Sequence, residues 1–212
     1  MKASRKTKKK EKRPRANTVY LHKKQPMIRI SGGKYVALIK ELIRIIQGSY
    51  KPDLIIGIAT GGLFAAIIAR VLNVPYGIWM AQGYKDRSRG VGKRSRIVRF
   101  ADEISFIDPR NKKKLKLKKG KLPFKKVLLI DDLDETYRTF KRGQRLLREW
   151  YGEGFEIRTA CLIHKTCSQG FVNYFAQTMR QYKTTGKWPW IVWPHEDLID
   201  NLKAFFKIGH IK

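Results

Sequence analysis

Short runs of consecutive apolar residues alternate along this chain with segments whose apolar residues recur every three or four positions. That is the pattern of buried strands alternating with helices. Met27 to Ile30 reads as a short strand or lead-in, and Ser31 before Gly32-Gly33 is placed to cap a helix. Val36, Leu38, Ile39, Leu42, Ile43, Ile45 and Ile46 form that helix's broad apolar stripe, which ends at Gly48. Pro52 breaks the chain, and Asp53 to Ile58 reads as a strand. A turn at Ala59-Thr60-Gly61-Gly62 leads into a helix from Leu63 to Leu72, and Val74 to Met80 supplies the next strand. Strand, helix and strand joined by short links make a βαβ unit, with parallel pairing and a right-handed crossover.

The second half repeats the alternation with longer interruptions. Residues 83–95 are rich in glycine and basic side chains without apolar periodicity, which predicts a mobile loop and, from its length, a candidate lid. Ile97 to Ile107 has strand-like composition. Asn111 to Lys126 is a lysine run interrupted by Leu115, Leu117 and Leu122, read as a solvated hairpin or basic arm. Val127 to Ile130 is too short for a helix and suits a strand buried on both faces. The spacing of Phe140, Gly143, Leu147 and Trp150 predicts a helix beginning near Tyr137. A turn at Gly152 to Gly154, a strand from Ile157 to Ile163, an aromatic-rich stretch from Phe171 to Trp193 and an amphipathic helix from Asp197 to Phe206 complete the chain. No internal repeat recurs at a fixed period.

Charge changes this picture at the N-terminus. The 212 residues suffice for one α/β domain with its own core. Lys and Arg number 47 against 17 Asp and Glu, a formal net charge of +30 that favours contact with polyanions. Nine of the basic residues fall in the first fifteen positions, so residues 1–26 are expected to be a disordered basic tail and residues 27–212 the folded domain. Outside the first fifteen positions, 38 basic and 16 acidic residues keep the chain strongly positive, and nonspecific nucleic-acid contact through the tail and loops is expected. Two cysteines, Cys161 and Cys167, make no disulfide framework, and His22, His164, His195 and His210 lack metal-site spacing. The first apolar cluster is too short for a signal peptide, and no window approaches the roughly 18 apolar residues of a membrane span. A soluble cytoplasmic protein without membrane contact is the expectation.

The candidate chemistry sits where the Val127–Ile130 strand ends. It runs into Asp131 and Asp132, then a polar turn with Thr136 and Thr139, then a helix start. Backbone N–H groups at a helix N-terminus carry partial positive charge and threonine hydroxyls add donors, so residues 136–139 read as an anion cradle. The two aspartates just upstream suit a metal or sugar hydroxyls. The Gly61-Gly62 pair after the earlier strand permits close approach of a ligand to the backbone.

These motifs resemble those of the type I phosphoribosyltransferases, a likeness covering roughly residues 28–208. The run Asp131-Asp132-Leu133-Asp134-Glu135-Thr136-Tyr137-Arg138-Thr139 is similar to the family's phosphoribosyl pyrophosphate (PRPP) motif, with Glu135 in place of an aspartate and Tyr137 in place of a glycine. Thr60-Gly61-Gly62 resembles the pyrophosphate loop. Ile163-His164-Lys165, and Trp190-Ile191-Val192 with its flanks, look like the base-binding segments of bacterial xanthine-guanine and archaeal purine phosphoribosyltransferases. The resemblance implies a parallel-sheet α/β core with a small hood from the N- and C-terminal segments. It also implies Mg²⁺-dependent transfer of 5-phosphoribosyl from PRPP to a 6-oxopurine (guanine, xanthine or hypoxanthine), releasing pyrophosphate. Asp131 and Asp132 would bind ribose hydroxyls and Mg²⁺, directly or through water. Thr60, Gly61 and Gly62 would bind pyrophosphate, and Thr136, Tyr137, Arg138 and Thr139 the 5′-phosphate. Glu135 would be the general acid/base, with Asp134 a nearby carboxylate able to substitute. Lys165, Trp190 and Ile191 would bind the base, and a homodimer or tetramer is expected. The alternative is a catalytically weak or inactive, PRPP-sensing, nucleic-acid-binding regulator on the same fold.

Overall fold

The computed structural model describes residues 19–22, 25–59, 61–85, 96–110, 113–115, 119–120, 122–168, 170–180 and 188–194. The chain divides into two compact units, one spanning Val36–Gln181 and the other Met1–Tyr35 with Tyr182–Lys212.

The larger unit is built on a mostly parallel sheet. β3 (Leu54–Ala59), β4 (Tyr76–Lys85), β8 (Lys126–Asp134), β9 (Glu156–Lys165) and β10 (Tyr174–Met179) run parallel in the order β10-β9-β8-β3-β4. Two antiparallel strands, β6 (Ser105–Asp108) and β7 (Lys113–Leu115), extend the β4 edge, and β5 (Arg96–Phe100) pairs antiparallel with the distal part of β4. Every residue of β3 is buried, as is Val127 to Ile130 of β8, so both faces of the central strands are covered as their unbroken apolar runs predict. Helix α1 (Gly32–Ser49) begins where Ser31 Oγ accepts the Lys34 amide at 3.2 Å, the cap the sequence suggested. A 3₁₀ turn (Gly61–Phe64) precedes α2 (Ala65–Leu72), and α3 (Arg138–Tyr151) follows β8.

One core cluster joins Ile56 and Ile58 of β3, Trp79 of β4, Leu129 of β8 and the inner side of α3 through Phe140 and Leu147. The Trp79 ring lies tilted at 4.2 Å from Phe100 and 5.1 Å from Trp150, while its indole N–H donates to the Ala101 carbonyl at 2.8 Å. That aromatic wedge binds β5 and α3 to the sheet. Rings of this size bury more apolar area than aliphatic side chains.

The smaller unit is assembled from both ends of the chain, as the sequence implied. β1 (Val19–His22) pairs antiparallel with β2 (Gln25–Arg29), and β11 (Trp190–Val192) pairs parallel with β2. Tyr35 and Trp193 meet edge to face at 5.8 Å within it. Among the described residues the first strand starts at Val19, inside the stretch assigned to the tail.

Three sequence expectations need adjustment. The loop expected over 83–95 starts later, because β4 continues to Lys85 and pairs with β5. Ile97 to Ile107 is two strands, β5 and β6, interrupted at Ala101 to Ile104. In the lysine run, Lys113–Leu115 forms a strand on the β6 edge. The lid itself and the helix at Asp197 to Phe206 fall outside the described residues. Among the described residues no helix is long and apolar enough to cross a membrane, and both cysteines are free thiols.

Candidate functional site

In chain order the sheet grows from β3 to β4 on one side, then resumes with β8 on the other side of β3. Direction reverses between β3 and β8, and in such sheets the crevice at the carboxyl ends of those two strands is where ligands bind. The register Leu54↔Val127 to Gly57↔Ile130 brings the end of β3 beside Asp131 and Asp132. The turn after Ala59 therefore meets the acid pair by construction.

The approach is tight. A Cβ placed on Gly61 would lie 2.7 Å from Asp131 Oδ1 and closer still to the Asp132 carboxylate. Gly62 in turn sits against the Ile130 carbonyl, where a Cβ would fall 2.7 Å away. Only glycine lets this backbone press against the two carboxylates. A cavity of about 590 Å³ opens there, walled by Gly61, Asp131, Asp132, Glu135 and the turn from Thr136 to Thr139, with Ala81 of β4 and Val98 of β5 opposite. Thr60 lies outside the described residues.

Asp131 and Asp132 are each half-buried, and the Asp132 amide donates to Asp131 Oδ1 at 2.9 Å. Burial, then the neighbouring Asp132 charge, push the Asp131 carboxyl well above the usual carboxylate range. Adjacent hard oxygens with a penalty on their shared charge fit a divalent cation such as Mg²⁺. Among the described residues no three His, Cys, Asp or Glu side chains group as a metal cage. An ion on this pair would complete its shell with water and ligand oxygens, as Mg²⁺ usually does.

The turn after β8 is held from beneath. Asp134 is buried and accepts the Tyr137 amide at 2.8 Å through Oδ1, while Oδ2 lies 2.9 Å from His164 Nδ1. His164 is Asp134's register partner on β9 and stacks on Phe175 at 5.0 Å. Asp134 is thus committed to the scaffold, which corrects the expectation that it could stand in for Glu135 as acid/base. The Tyr137 N–H is likewise engaged, which leaves the cradle's remaining donors on Thr136, Arg138 and Thr139. Glu135 is half-buried and its Oε1 lies 3.1 Å from Lys165 Nζ, with Lys165 itself buried. The Cys167 thiol donates to the Glu135 carbonyl at 3.4 Å.

A family model described as a phosphoribosyl transferase domain matches residues 31–199. The chain belongs to the phosphoribosyltransferase family. Among solved structures, a purine phosphoribosyltransferase from Pyrococcus horikoshii Ot3 is 22% identical over 80% of this chain and 93% of that one, with a TM-score of 0.58. The Helicobacter pylori xanthine-guanine-hypoxanthine phosphoribosyltransferase is 13% identical over 83% and 97%, with a TM-score of 0.57. A hypothetical protein from Neisseria gonorrhoeae with bound ppGpp is 20% identical over 84% and 97%, with a TM-score of 0.53. These likenesses show the fold. No curated protein matches the sequence.

Measured against the phosphoribosyltransferase motif, Tyr137 is the departure with a visible structural consequence. Its φ of 60° and ψ of 0° are left-handed, the conformation a glycine adopts freely. The turn keeps its shape at a cost of roughly 1–2 kcal/mol. The ring recovers part of that by packing 5.8 Å from Phe140 and against Gly170, and its hydroxyl lies 3.3 Å from Gln144 Oε1. Lys165 meets Glu135 in the larger unit. Trp190, 45% exposed, and Ile191, buried, stand on β11 of the smaller one. The Asp134–His164 link escaped sequence reading. The signal was the placement of Asp134 at the end of β8 and of His164 one residue before the end of β9, on consecutive parallel strands.

Proposed function

We propose that this phosphoribosyltransferase moves 5-phosphoribosyl from PRPP to a 6-oxopurine, giving a nucleoside monophosphate and pyrophosphate. The observation that carries the proposal is the junction at the switch point, with Gly61 pressed on the Asp131–Asp132 carboxylates one short turn from a helix N-terminus. In this reading the backbone at Gly61 and Gly62 receives pyrophosphate, joined by Thr60. The donors of residues 136–139 hold the 5′-phosphate, aided by the partial positive charge at the start of α3. Asp131 and Asp132 take the ribose hydroxyls and would hold Mg²⁺, directly or through water. Bound there, Mg²⁺ supplies charge neutralisation for the departing pyrophosphate.

The base nitrogen forms its bond to the sugar's C1 as the C1–O bond to pyrophosphate breaks. Glu135 manages the purine's proton, and Lys165 holds the Glu135 carboxylate in place and donates to the exocyclic oxygen. Acid/base assistance of this kind contributes about 10²–10⁴ in rate. The 590 Å³ cavity falls within the range of about 300–1,000 Å³ typical of small-molecule sites.

The test is formation of nucleoside monophosphate from PRPP and Mg²⁺ with guanine, xanthine and hypoxanthine in turn. Turnover with at least one base is expected. Failure with all three overturns the proposal, and PRPP binding without turnover supports the PRPP-sensing regulator instead.

A further inference from the structure

A second cavity, about 1110 Å³, lies along the outer side of α3 and shares only the turn at Thr136 to Arg138 with the one just described. Its wall carries Arg138, Lys141, Arg142, Arg145 and Arg148. These positions follow the three- and four-residue spacing of one helix face, and they span about 15 Å of axis at 1.5 Å per residue. Glu149 and Glu153 mark the far end, paired with Arg145 at 3.2 Å and Arg148 at 2.9 Å. Among the described residues Arg138, Lys141 and Arg142 form no ion pair. The core takes only the inner side of this helix, through Phe140, Gly143 and Leu147. Solubility alone asks for mixed signs on the outer side. A nearly one-sign track needs another reason.

The Tyr137 end of the cavity supplies a second observation. Gly170 lines the cavity against the Tyr137 ring, at a separation no side chain would allow. Its chain neighbour Phe171 is a large apolar residue 76% exposed. A basic track long enough for several consecutive phosphates, with an exposed aromatic residue next in sequence to one that lines it, is the recognition pattern of single-stranded nucleic acid. Phosphates follow the cations and a base stacks on the ring. The track is also longer than a pyrophosphate needs.

We propose that the α3 groove binds single-stranded nucleic acid, with phosphates along Lys141 to Arg148 and a base against Phe171. The groove meets the phosphoribosyl site at the Thr136–Arg138 turn, so the charge test uses only Lys141, Arg142 and Arg145, which line the groove alone.

The experiment measures binding of the full chain to a labelled single-stranded RNA of about 12 nucleotides, a length within known site sizes, by fluorescence anisotropy across a salt series. Lys141→Gln, Arg142→Gln and Arg145→Gln combined should flatten the slope of log affinity against log salt by about 2, at roughly 0.7 for each phosphate no longer neutralised. The matched variant Lys40→Gln, Lys51→Gln and Lys125→Gln removes the same charge from exposed positions on other elements and should change the slope by less than half as much. Phe171→Ala should weaken binding on the order of 10-fold on the base-bearing strand and leave an abasic strand of equal length unaffected. Equal slopes for the two triple variants would mean diffuse binding to the whole basic surface and would overturn the proposal. An RNA duplex bound as tightly as the single strand, with the same sensitivity to the α3 variant, would overturn it too.

Discussion

Replacing Gly61 with alanine adds one methyl group at the point where the 3₁₀ turn meets the acid pair. Gly61 is not among the residues with positive φ, so its backbone tolerates a side chain. The obstacle is the carboxylates: the new Cβ would lie 2.7 Å from Asp131 Oδ1, with the Asp132 carboxylate nearer. Relaxing to an ordinary separation of about 3.5 Å moves Asp131 by roughly 0.8 Å and Asp132 by more. Small-to-large changes of this kind cost about 1–3 kcal/mol in stability. A displacement near 1 Å at reacting groups costs on the order of 100-fold in rate. Gly61→Ala is therefore expected to remain folded, lose about 100-fold in kcat/KM and bind PRPP more weakly in Mg²⁺-containing calorimetry. Gly48→Ala makes the same chemical change inside α1, where nothing lies within 4 Å, and should leave both quantities untouched. A folded Gly61→Ala protein with wild-type PRPP affinity and rate would refute the reasoning.

Three further outcomes follow from the same geometry. Because the folded-state pKa of Asp131 is raised, its contribution to stability is present below the ordinary carboxylate range and is lost as pH rises through the folded value. Asp131→Asn should accordingly unfold at a higher temperature than wild type at neutral pH, with the gap closing as pH falls, while PRPP binding is lost; a constant gap across pH would count against this. Asp134→Ala strips the Tyr137 amide and His164 of their partner, and urea denaturation should register a loss of about 2–4 kcal/mol. At position 137, glycine and alanine both forfeit the ring packing but only glycine accepts φ 60° without strain, so Tyr137→Gly should be more stable than Tyr137→Ala by about 1 kcal/mol. Equal stabilities in urea would show that the turn relaxes.

Much of this was legible in the sequence because the decisive signals are local. Val127 to Ile130 suits a doubly buried strand, and the acids, threonines and helix periodicity after it mark the end of that strand and the start of α3. The glycine turn at Gly61-Gly62 carries a similar local signature. What stayed hidden depends on pairing between distant segments. The extension of β4 to Lys85 requires β5 as a partner, and nothing between Gly83 and Lys85 announces it. Asp134 looked like spare chemistry until the β8–β9 register set it opposite His164. Tyr137 left both signs of φ open, since only the path of the turn decides whether a non-glycine residue is held left-handed.

The most direct measurement is a crystal structure of the protein soaked with PRPP and Mg²⁺. Density is predicted for the 5′-phosphate on the backbone of residues 136–139 and for the pyrophosphate at Gly61 and Gly62, with ribose hydroxyls on Asp131 and Asp132. PRPP bound elsewhere, or a cradle that stays free of phosphate at saturating PRPP, would contradict it.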